Sequence, residues 1–178
     1  VIASPCWMVY KTDFEKCGGF DSNIYPEDYD LTFRFYKNGL KCLPSNQLLH
    51  LWRDYPERTS RNHEHYAYNS FIELKVHHFL NIDYRINKKL LVWGAGRKGK
   101  KVAELLQQSN IPFTWICDNP KKIGKEIYGQ QMIAYNTITD FSLYQSIITI
   151  ANPKAQQEVK ALFAQQHLLL GKNFFFFC

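Results

Sequence analysis

The sequence lacks several features, and each absence excludes a class of protein. No apolar run approaches the ~20 residues that a transmembrane helix needs, and the start lacks the basic region and long apolar core of a signal peptide. The five cysteines (Cys6, Cys17, Cys42, Cys117 and Cys178) form no CxxC pair and leave one over, so we expect free, mostly buried thiols in a reducing cytosol. An initiator methionine is also lacking, which suggests a piece of a longer protein.

What is present indicates a globular chain with basic surface clusters. The 178 residues are 46% hydrophobic and 21% charged, which is enough to build a core. The net charge is +6, and much of it lies in "GRKGKK" (96–101) and "PKKIGK" (120–125). Such clusters favour a phosphate, a nucleotide sugar or an acidic lipid surface as partner. A solvated lysine face is the alternative for the second cluster, and no nucleic-acid partner is expected because no reader module is present.

Two halves of the chain have different patterns, and the polar stretch "NIDYRINKK" separates them. We therefore expect two domains, residues 1–85 and 86–178. In the first, "SPCWMVY", "LKCLP" and "NQLLHLWR" are candidate strands, "KTDFEK" a short helix, and "EDYDLTFRFYKN" a helix that stops before Gly39. A longer helix is predicted from about Ser60 to Leu80, with an apolar stripe at the helical period.

The second half alternates short apolar strands with amphipathic helices. Strands are expected at "KLLVW", "PFTWIC", "SIITI" and "NFFFF", with helices after the first and third of them. This alternation predicts an α/β fold with a small doubly wound parallel sheet. The phenylalanine run is far too short to span a membrane and suits a buried parallel strand.

Three carboxylates, Glu27, Asp28 and Asp30, open the helix of the first half. Acids in the first turn complement the positive end of the helix dipole, worth about 0.3–1 kcal/mol each, and this structural role is one interpretation. The other interpretation is chemical. A double-glycine turn precedes the acids together with Asp21, and "LLHLWRDYPERTSR" follows them with His50, Arg53 and Arg58. Carboxylates, an imidazole and guanidinium groups together would suit a phosphorylated substrate.

The pattern "GGFD…PEDYDLTFRFYKNGLKCLP" resembles the later half of a family 2 glycosyltransferase of the GT-A fold, over about residues 3–80. The resemblance implies a partial GT-A α/β segment and transfer of a sugar from a nucleotide-sugar donor to an acceptor hydroxyl, usually with inversion. Asp28 matches the general base of that family, which takes the proton of the attacking hydroxyl. Glu27 and Asp30 would then orient the acceptor or the local loop. Asp21, Arg53 and Arg58 are the candidate substrate-binding residues.

The resemblance also implies a divalent metal, Mn or Mg, for the complete transferase. Some relatives place a metal or pyrophosphate ligand at the position of His50; the alternative is a partly buried histidine with a backbone partner. The metal-binding Asp-x-Asp of the family closes a strand upstream of this region. Asp28-Tyr29-Asp30 opens a helix instead, so it is not assigned that role. The donor half is therefore expected to be absent, and this chain alone to be inactive or a poor catalyst.

The second half opens with Gly94-x-Gly96-x-x-Gly99 between a predicted strand and a predicted helix. In this context the first glycine allows a tight turn, the second lets backbone approach a phosphate, and the third lets helix and strand pack closely. Asp118 ends the next strand about 20 residues on, where an acid that binds ribose would lie. With Arg97 these are the candidate residues for binding a nucleotide or NAD(P).

This half resembles the small N-terminal nucleotide-binding domain of bacterial sugar O-acyltransferases, through the glycine turn, "CDNPKKIGKEIYGQQMI" and "ANPKAQQEVKALFAQQ". The sequence thus indicates a bacterial-type glycosyltransferase of cell-surface glycan synthesis with a Rossmann-like domain. It would act on a glycan or lipid-linked acceptor in the cytoplasm, either free or peripheral at the inner face of the membrane. Two alternatives stay open: an NAD(P)-dependent oxidoreductase, and a non-enzymatic module that binds nucleotide sugars or docks another domain.

Overall fold

The structure, a computed structural model, describes residues 4–57, 62 and 71–177. The chain divides into two compact units, Val1–Phe71 and Ile72–Cys178. The division lies earlier than residue 85, where the sequence placed it, because the end of the predicted long helix and the polar stretch after it belong to the second unit.

The first unit is built around two helices. A 3-10 turn, Ser4–Cys6, is followed by α1, Lys11–Lys16, and α2, Glu27–Lys37. The predicted helix is confirmed in α2, and it ends with the paired bonds of a Schellman motif, from the Gly39 amide to the Tyr36 carbonyl (2.9 Å) and from the Leu40 amide to the Phe35 carbonyl (3.0 Å).

The three strands predicted for this unit are wrong. "SPCWMVY" begins with the 3-10 turn. No strand is assigned from residue 40 to 57, and residues 41–57 are exposed. A strand needs a neighbour to pair its backbone groups, and composition alone does not show whether that neighbour is present. Ser60, the predicted start of the long helix, lies outside the described residues.

The second unit alternates helices and strands. Its helices are α3 (Ile72–His78), which continues into a π-helical turn (Phe79–Asp83), α4 (Arg97–Gln108) and α5 (Pro153–Gln165). Its strands are β1 (Lys89–Trp93), β2 (Thr114–Cys117), β3 (Glu126–Ile127), β4 (Gln130–Ala134), β5 (Tyr144–Ile148) and β6 (Phe174–Phe176). Short 3-10 turns lie at Tyr135–Thr137 and Phe141–Leu143.

The strands form one sheet in the order β3-β4-β2-β1-β5-β6. All neighbours are parallel except β3 and β4, which form an antiparallel hairpin through Tyr128 and Gly129, both with positive φ. The predicted mostly parallel α/β sheet is thus confirmed. The chain runs from β1 outward to β4 and then crosses to β5, so the topological switch point lies between β1 and β5.

Alternation along β1 divides the core between the two faces of the sheet. Leu90 and Val92 pack on one face of the sheet with α3 and α4. Leu91 and Trp93 pack on the other face with α5. All the side chains of β1 except Lys89 are buried, as expected for a central parallel strand with helices on both sides.

Gln145 ties the polar stretch after α3 to this sheet. Its buried amide donates to the Asp83 carbonyl (2.8 Å) and accepts from the Arg85 amide (2.7 Å). A buried side-chain amide is costly unless its hydrogen bonds are made. Both partners lie in the polar stretch that was expected to separate the two domains. The stretch therefore starts the second unit.

No helix among the residues that the structure describes is long and apolar enough to cross a membrane.

Gly99, in the first helical turn of α4, lies very close to the backbone of Gly94, which follows β1. A Cβ added there would lie 2.1 Å from the Gly94 carbonyl oxygen and 2.9 Å from Thr149 Oγ1. Gly94 itself has φ +107°, a conformation that L side chains rarely adopt. These two glycines therefore serve the fold.

We expect Gly99→Ala to destabilise the second unit by about 1–3 kcal/mol, because α4 must move away from β1 to admit the methyl group. Gly96→Ala is the matched control: no heavy atom lies within 4 Å of an added Cβ and its φ is −80°. Urea unfolding of the two variants measures the difference. Equal stabilities would show that the close approach of Gly99 to Gly94 does not constrain the fold.

Candidate functional site

The start of α2 places the predicted acids at a helix N-terminus. Glu27 and Asp28 are half-buried, whereas Asp30 is only 2% exposed. The residue before the helix is Pro26, whose side chain gives no capping hydrogen bond. Because the first amides of a helix lack intrahelical acceptors, the acids of the first turn complement their partial positive charge.

Arg34 joins this helix to the double-glycine turn. Its Nε donates to Asp30 Oδ2 at 2.7 Å, its Nη1 donates to the Cys17 carbonyl, and its Nη2 donates to the Gly19 carbonyl at 2.6 Å. The three bonds use all three nitrogens of the guanidinium. Asp30 therefore holds the arginine that contacts the turn. Its predicted role, orienting the acceptor or the local loop, stays a prediction.

Asp21 lies just beyond that turn and is engaged locally. Its Oδ1 accepts from the Asn23 amide at 2.9 Å and from Asn23 Nδ2 at 3.1 Å. These bonds form an Asx turn, which shapes the loop between the glycines and α2. A second carboxylate oxygen, Oδ2, is left for the substrate contact that the sequence predicts.

The other predicted residues of the first half lie on exposed chain. His50 and Arg53 are both exposed, and the His50 ring lies 5.9 Å from that of Trp52. His50 is therefore not the partly buried histidine of the alternative interpretation. Arg58 lies outside the described residues.

The described residues do not by themselves supply a metal site. No group of three or more histidine, cysteine, aspartate or glutamate side chains is placed to hold a metal ion within residues 4–57, 62 and 71–177. No ligand set for the metal that the resemblance implies is therefore found among the described residues. The assignment of His50 as a metal ligand stays a prediction.

Tyr29 fills the buried side of α2 between the acids. It is 7% exposed, and its ring packs against those of Phe33 and Phe71, with centroid distances of 4.9 Å and 5.8 Å. Burial raises the pKa of Tyr29 to about 12. The motif thus divides into two half-buried carboxylates, Glu27 and Asp28, and two buried residues, Tyr29 and Asp30.

In the second unit the glycine turn lies at the carboxyl end of β1. The Gly94 carbonyl accepts from Trp115 Nε1 at 2.8 Å, and Thr149 Oγ1 donates to the Trp93 carbonyl at 2.8 Å. Gly96 is exposed, and the space beyond its Cα is open. The turn is therefore held from β2 and β5 and open where a phosphate would approach.

Cations lie around the open side of this turn. Arg97, the first residue of α4, is exposed, and Lys98 follows it. Lys122 reaches back from the loop after β2, and its ammonium donates to the Ala95 carbonyl at 2.5 Å. Asp118 is exposed directly after β2, at the position predicted for an acid that binds ribose.

The two long helices of this unit begin differently. Asn152 caps α5, since its Oδ1 accepts from the amides of Lys154 (2.9 Å) and Ala155 (3.2 Å). Gly96 precedes α4 and offers no side chain, and the first turn of α4 contains no acid. The start of α4 thus combines uncapped amides with positive side chains, an arrangement that suits an anion.

The cysteines are partly as expected. Cys17 and Cys117 are buried free thiols, but Cys6 and Cys42 are exposed. Burial raises the pKa of the Cys117 thiol, and the negative charge of the neighbouring Asp118 raises it further. A protonated thiol is a poor nucleophile, and Cys117 packs in the core of the second unit.

Comparison with known proteins gives a family match for part of the second unit. Residues 86–165, which run from the polar stretch to the end of α5, match the model of the family described as C2185-like, N-terminal. Among solved structures, UDP-D-quinovosamine 4-dehydrogenase from Vibrio fischeri aligns at 22% identity over 46% of this chain and 74% of that chain. The TM-score is 0.39, too low to support an assignment. No curated protein matches the sequence.

Three residues of these sites were not singled out from the sequence, namely Arg34, Lys122 and Thr149. Arg34 follows Asp30 by four residues on a predicted helix, a spacing that predicts an ion pair, but its contacts with the glycine turn span 15 and 17 residues. Lys122 was visible only as part of a basic cluster. Thr149 carries no signal beyond its place at the end of a strand.

The raised pKa of Tyr29 predicts a pH dependence of stability. The ordinary tyrosine pKa is about 10, so between pH 10 and 12 the unfolded chain releases this proton while the folded chain keeps it. The free energy of unfolding should therefore fall as pH rises through this window, by about 2–3 kcal/mol in total. Below pH 10 this group contributes no pH dependence.

Urea unfolding of the wild type and of Tyr29→Phe across pH 9–12 measures this effect, because the variant has no proton to release at that site. We expect the wild type to lose more stability than the variant as pH rises. Parallel curves would mean that the phenol of Tyr29 reaches solvent in the folded protein.

Proposed function

We propose that this chain is part of a glycosyltransferase that moves a sugar from a nucleotide-sugar donor to an acceptor hydroxyl, with inversion, in the synthesis of cell-surface glycans. The single observation that supports it best is the start of α2. There Glu27 and Asp28 are half-buried beside solvent, and the glycine turn before them is held to the helix through Arg34. The resemblance to family 2 transferases adds the reaction class.

In this proposal Asp28 is the general base. Its carboxylate accepts the proton of the acceptor hydroxyl as the oxygen forms its bond to the anomeric carbon and the nucleoside diphosphate leaves with the electrons of the broken bond. The base must be ionised before the reaction, and Asp28 lies in the first turn of α2, where a helix accommodates negative charge. Glu27 would orient the acceptor through its own carboxylate.

The donor would be held by groups of positive charge. Arg53 and Arg58 would neutralise the leaving diphosphate, together with the divalent metal that such transferases use. The nucleotide-binding half of the GT-A domain would supply the remaining donor contacts. A glycan or lipid-linked acceptor places the reaction in the cytoplasm or at the inner face of the membrane.

We expect Asp28→Asn to lower transfer by at least 100-fold while the protein stays folded. The amide keeps the size of the carboxylate but cannot accept the proton, and general-base catalysis contributes about 10²–10⁴-fold. The assay measures release of nucleoside diphosphate by a polypeptide in which this segment joins the donor-binding half. Thermal unfolding of the same sample reports folding.

Glu15→Gln, which neutralises an exposed acid of α1, is the matched control and should keep full activity. If Asp28→Asn turns over like the wild type, Asp28 is not the base and this proposal loses its central residue.

For the second unit we propose a nucleotide or nucleotide-sugar site at the glycine turn. The supporting features are the uncapped start of α4, the cations Arg97 and Lys122 beside it, and the open space beyond Gly96. Asp118 would bind the ribose hydroxyls. The same features suit NAD(P), so an oxidoreductase and a non-enzymatic binding module remain the alternatives.

A thermal-shift panel on this chain with UDP- and GDP-sugars, NAD, NADP and CoA, with and without manganese, would separate them. A ligand at 100 times its dissociation constant adds about 2.7 kcal/mol to the free energy of unfolding. Stabilisation by a nucleotide sugar supports the proposal, whereas stabilisation by a dinucleotide favours the oxidoreductase.

Gly96→Val should abolish that stabilisation and leave the melting temperature of the free protein nearly unchanged. The new side chain would fill the space where phosphate approaches, and the backbone there is extended. Thr139→Val, an exposed and nearly isosteric change on a loop, is the control and should bind like the wild type. Unchanged affinity in Gly96→Val would assign the glycine motif to the fold alone.

A further inference from the structure

We propose that Arg34 is a positioning residue of the transferase site: it holds the loop of residues 17–26 against α2 and thereby sets where the substrate-facing acids lie. This inference rests on the proposed function, because it assumes that Asp28 is the general base. It concerns a side chain that touches no substrate and acts through the loop.

All three guanidinium nitrogens of Arg34 donate hydrogen bonds. The guanidinium offers donors in fixed directions, and here they reach one carboxylate and two backbone carbonyls. The side chain of Arg34 is 22% exposed and that of Asp30 is 2% exposed. The buried charge of Asp30 would be costly without the paired guanidinium, so the two side chains depend on this geometry.

The tied carbonyls lie at the beginning of the loop that carries Asp21. Cys17 and Gly19 flank Gly18, and both glycines have positive φ, so the chain reverses sharply there. A Cβ added at Gly18 would lie 3.2 Å from Arg34 Nη1, which shows how closely the guanidinium approaches the turn. The turn is thus shaped to receive this side chain.

The other end of the loop is the start of α2 itself. Pro26 precedes the helix, and its carbonyl accepts from the Asp30 amide at 3.1 Å. Between the two ends the loop has its own Asx turn at Asp21. Arg34 therefore fixes the first end of a segment whose second end is part of the same helix, and the loop acid and the helix acids are placed together.

In this geometry the three carboxylates of the motif have different roles. Asp30 is buried and bound to Arg34, so it holds the guanidinium and takes no proton from an acceptor. Glu27 and Asp28 are half-buried and so remain partly accessible to solvent. The spacing of four residues between Asp30 and Arg34 puts both on the inner side of the helix, one turn apart.

The test uses the transferase assay described for Asp28 with three variants, Arg34→Lys, Arg34→Gln and Asp30→Asn. Lysine keeps the charge beside Asp30 but has a single nitrogen, which cannot serve three acceptors in one plane. We expect kcat to fall about 10–100-fold in Arg34→Lys and further in Arg34→Gln, since a misplacement of 1 Å can cost about 100-fold. The KM for the donor should stay near the wild-type value.

A second readout follows the loop without any reaction. Cys17 is buried, and its carbonyl accepts from Arg34, so loss of the guanidinium should speed alkylation of its thiol as read by peptide mass spectrometry. Cys117, buried in the other unit, is the internal reference. Lys37→Gln, at the exposed end of α2, is the control for loss of a positive charge and should change neither readout.

The outcomes separate the two proposals. A lower kcat in folded Arg34→Lys, with faster labelling of Cys17 and an unchanged donor KM, supports the positioning role. Wild-type kcat in Arg34→Lys overturns it while leaving Asp28 as the base. A lower kcat that merely follows the fraction of folded protein also overturns it, because Arg34 would then serve stability alone. Full activity of Asp28→Asn overturns the proposed function and this role with it.

Discussion

The Gly94 carbonyl oxygen is the point on which the second unit depends. It accepts from Trp115 Nε1 of β2, lies 3.4 Å from Thr149 Oγ1 after β5, and is approached by α4 so closely that Gly99 has no room for a side chain. One backbone atom of the first turn thus joins two neighbouring strands and a helix. Because those contacts fix the inner side of the turn, its outer side at Gly96 stays open without loss of order, and a rigid, open turn is what a phosphate site requires.

The first unit reaches local order in a different way. Its described core is small, with Cys17, Tyr29 and Leu31 buried, while Leu43, Leu48 and Leu51 are exposed on extended chain. The connection between its glycine turn and α2 is made by charge-assisted hydrogen bonds from Arg34, which are about twice as strong as neutral ones. Such bonds need their geometry kept, whereas apolar burial tolerates small shifts. The acids at the start of α2 therefore depend on a side chain two turns away from them.

The sequence predicted those elements whose signals are local. The strand-turn-helix at Gly94–Gly99, α2 with its stop at Gly39, and α5 after Pro153 all follow from residues that determine their own backbone. Prediction failed where structure depends on distant partners. The apolar segments of the first half have the composition of strands but no strand is assigned to them in the described residues, and the β3–β4 hairpin was missed because Tyr128 is an unusual turn residue. Likewise the acids were recognised by motif, but their link to the glycine turn through Arg34 joins residues up to 17 positions apart.

The starts of α2 and α4 are both helix N-termini, but the side chains of their first turns have opposite charges. Both present the positive end of a helix dipole, and in neither does the residue before the helix give a side-chain capping hydrogen bond. At α2 the first turn contains three acids, whose negative charge complements the dipole. At α4 the first turn contains Arg97 and Lys98 and no acid, and Lys122 adds its charge from the next loop, so the dipole is left for an anion from outside. The side chains of the first turn thus set the charge at each helix start. The proposed function uses both starts, the first for a base and the second for a phosphate.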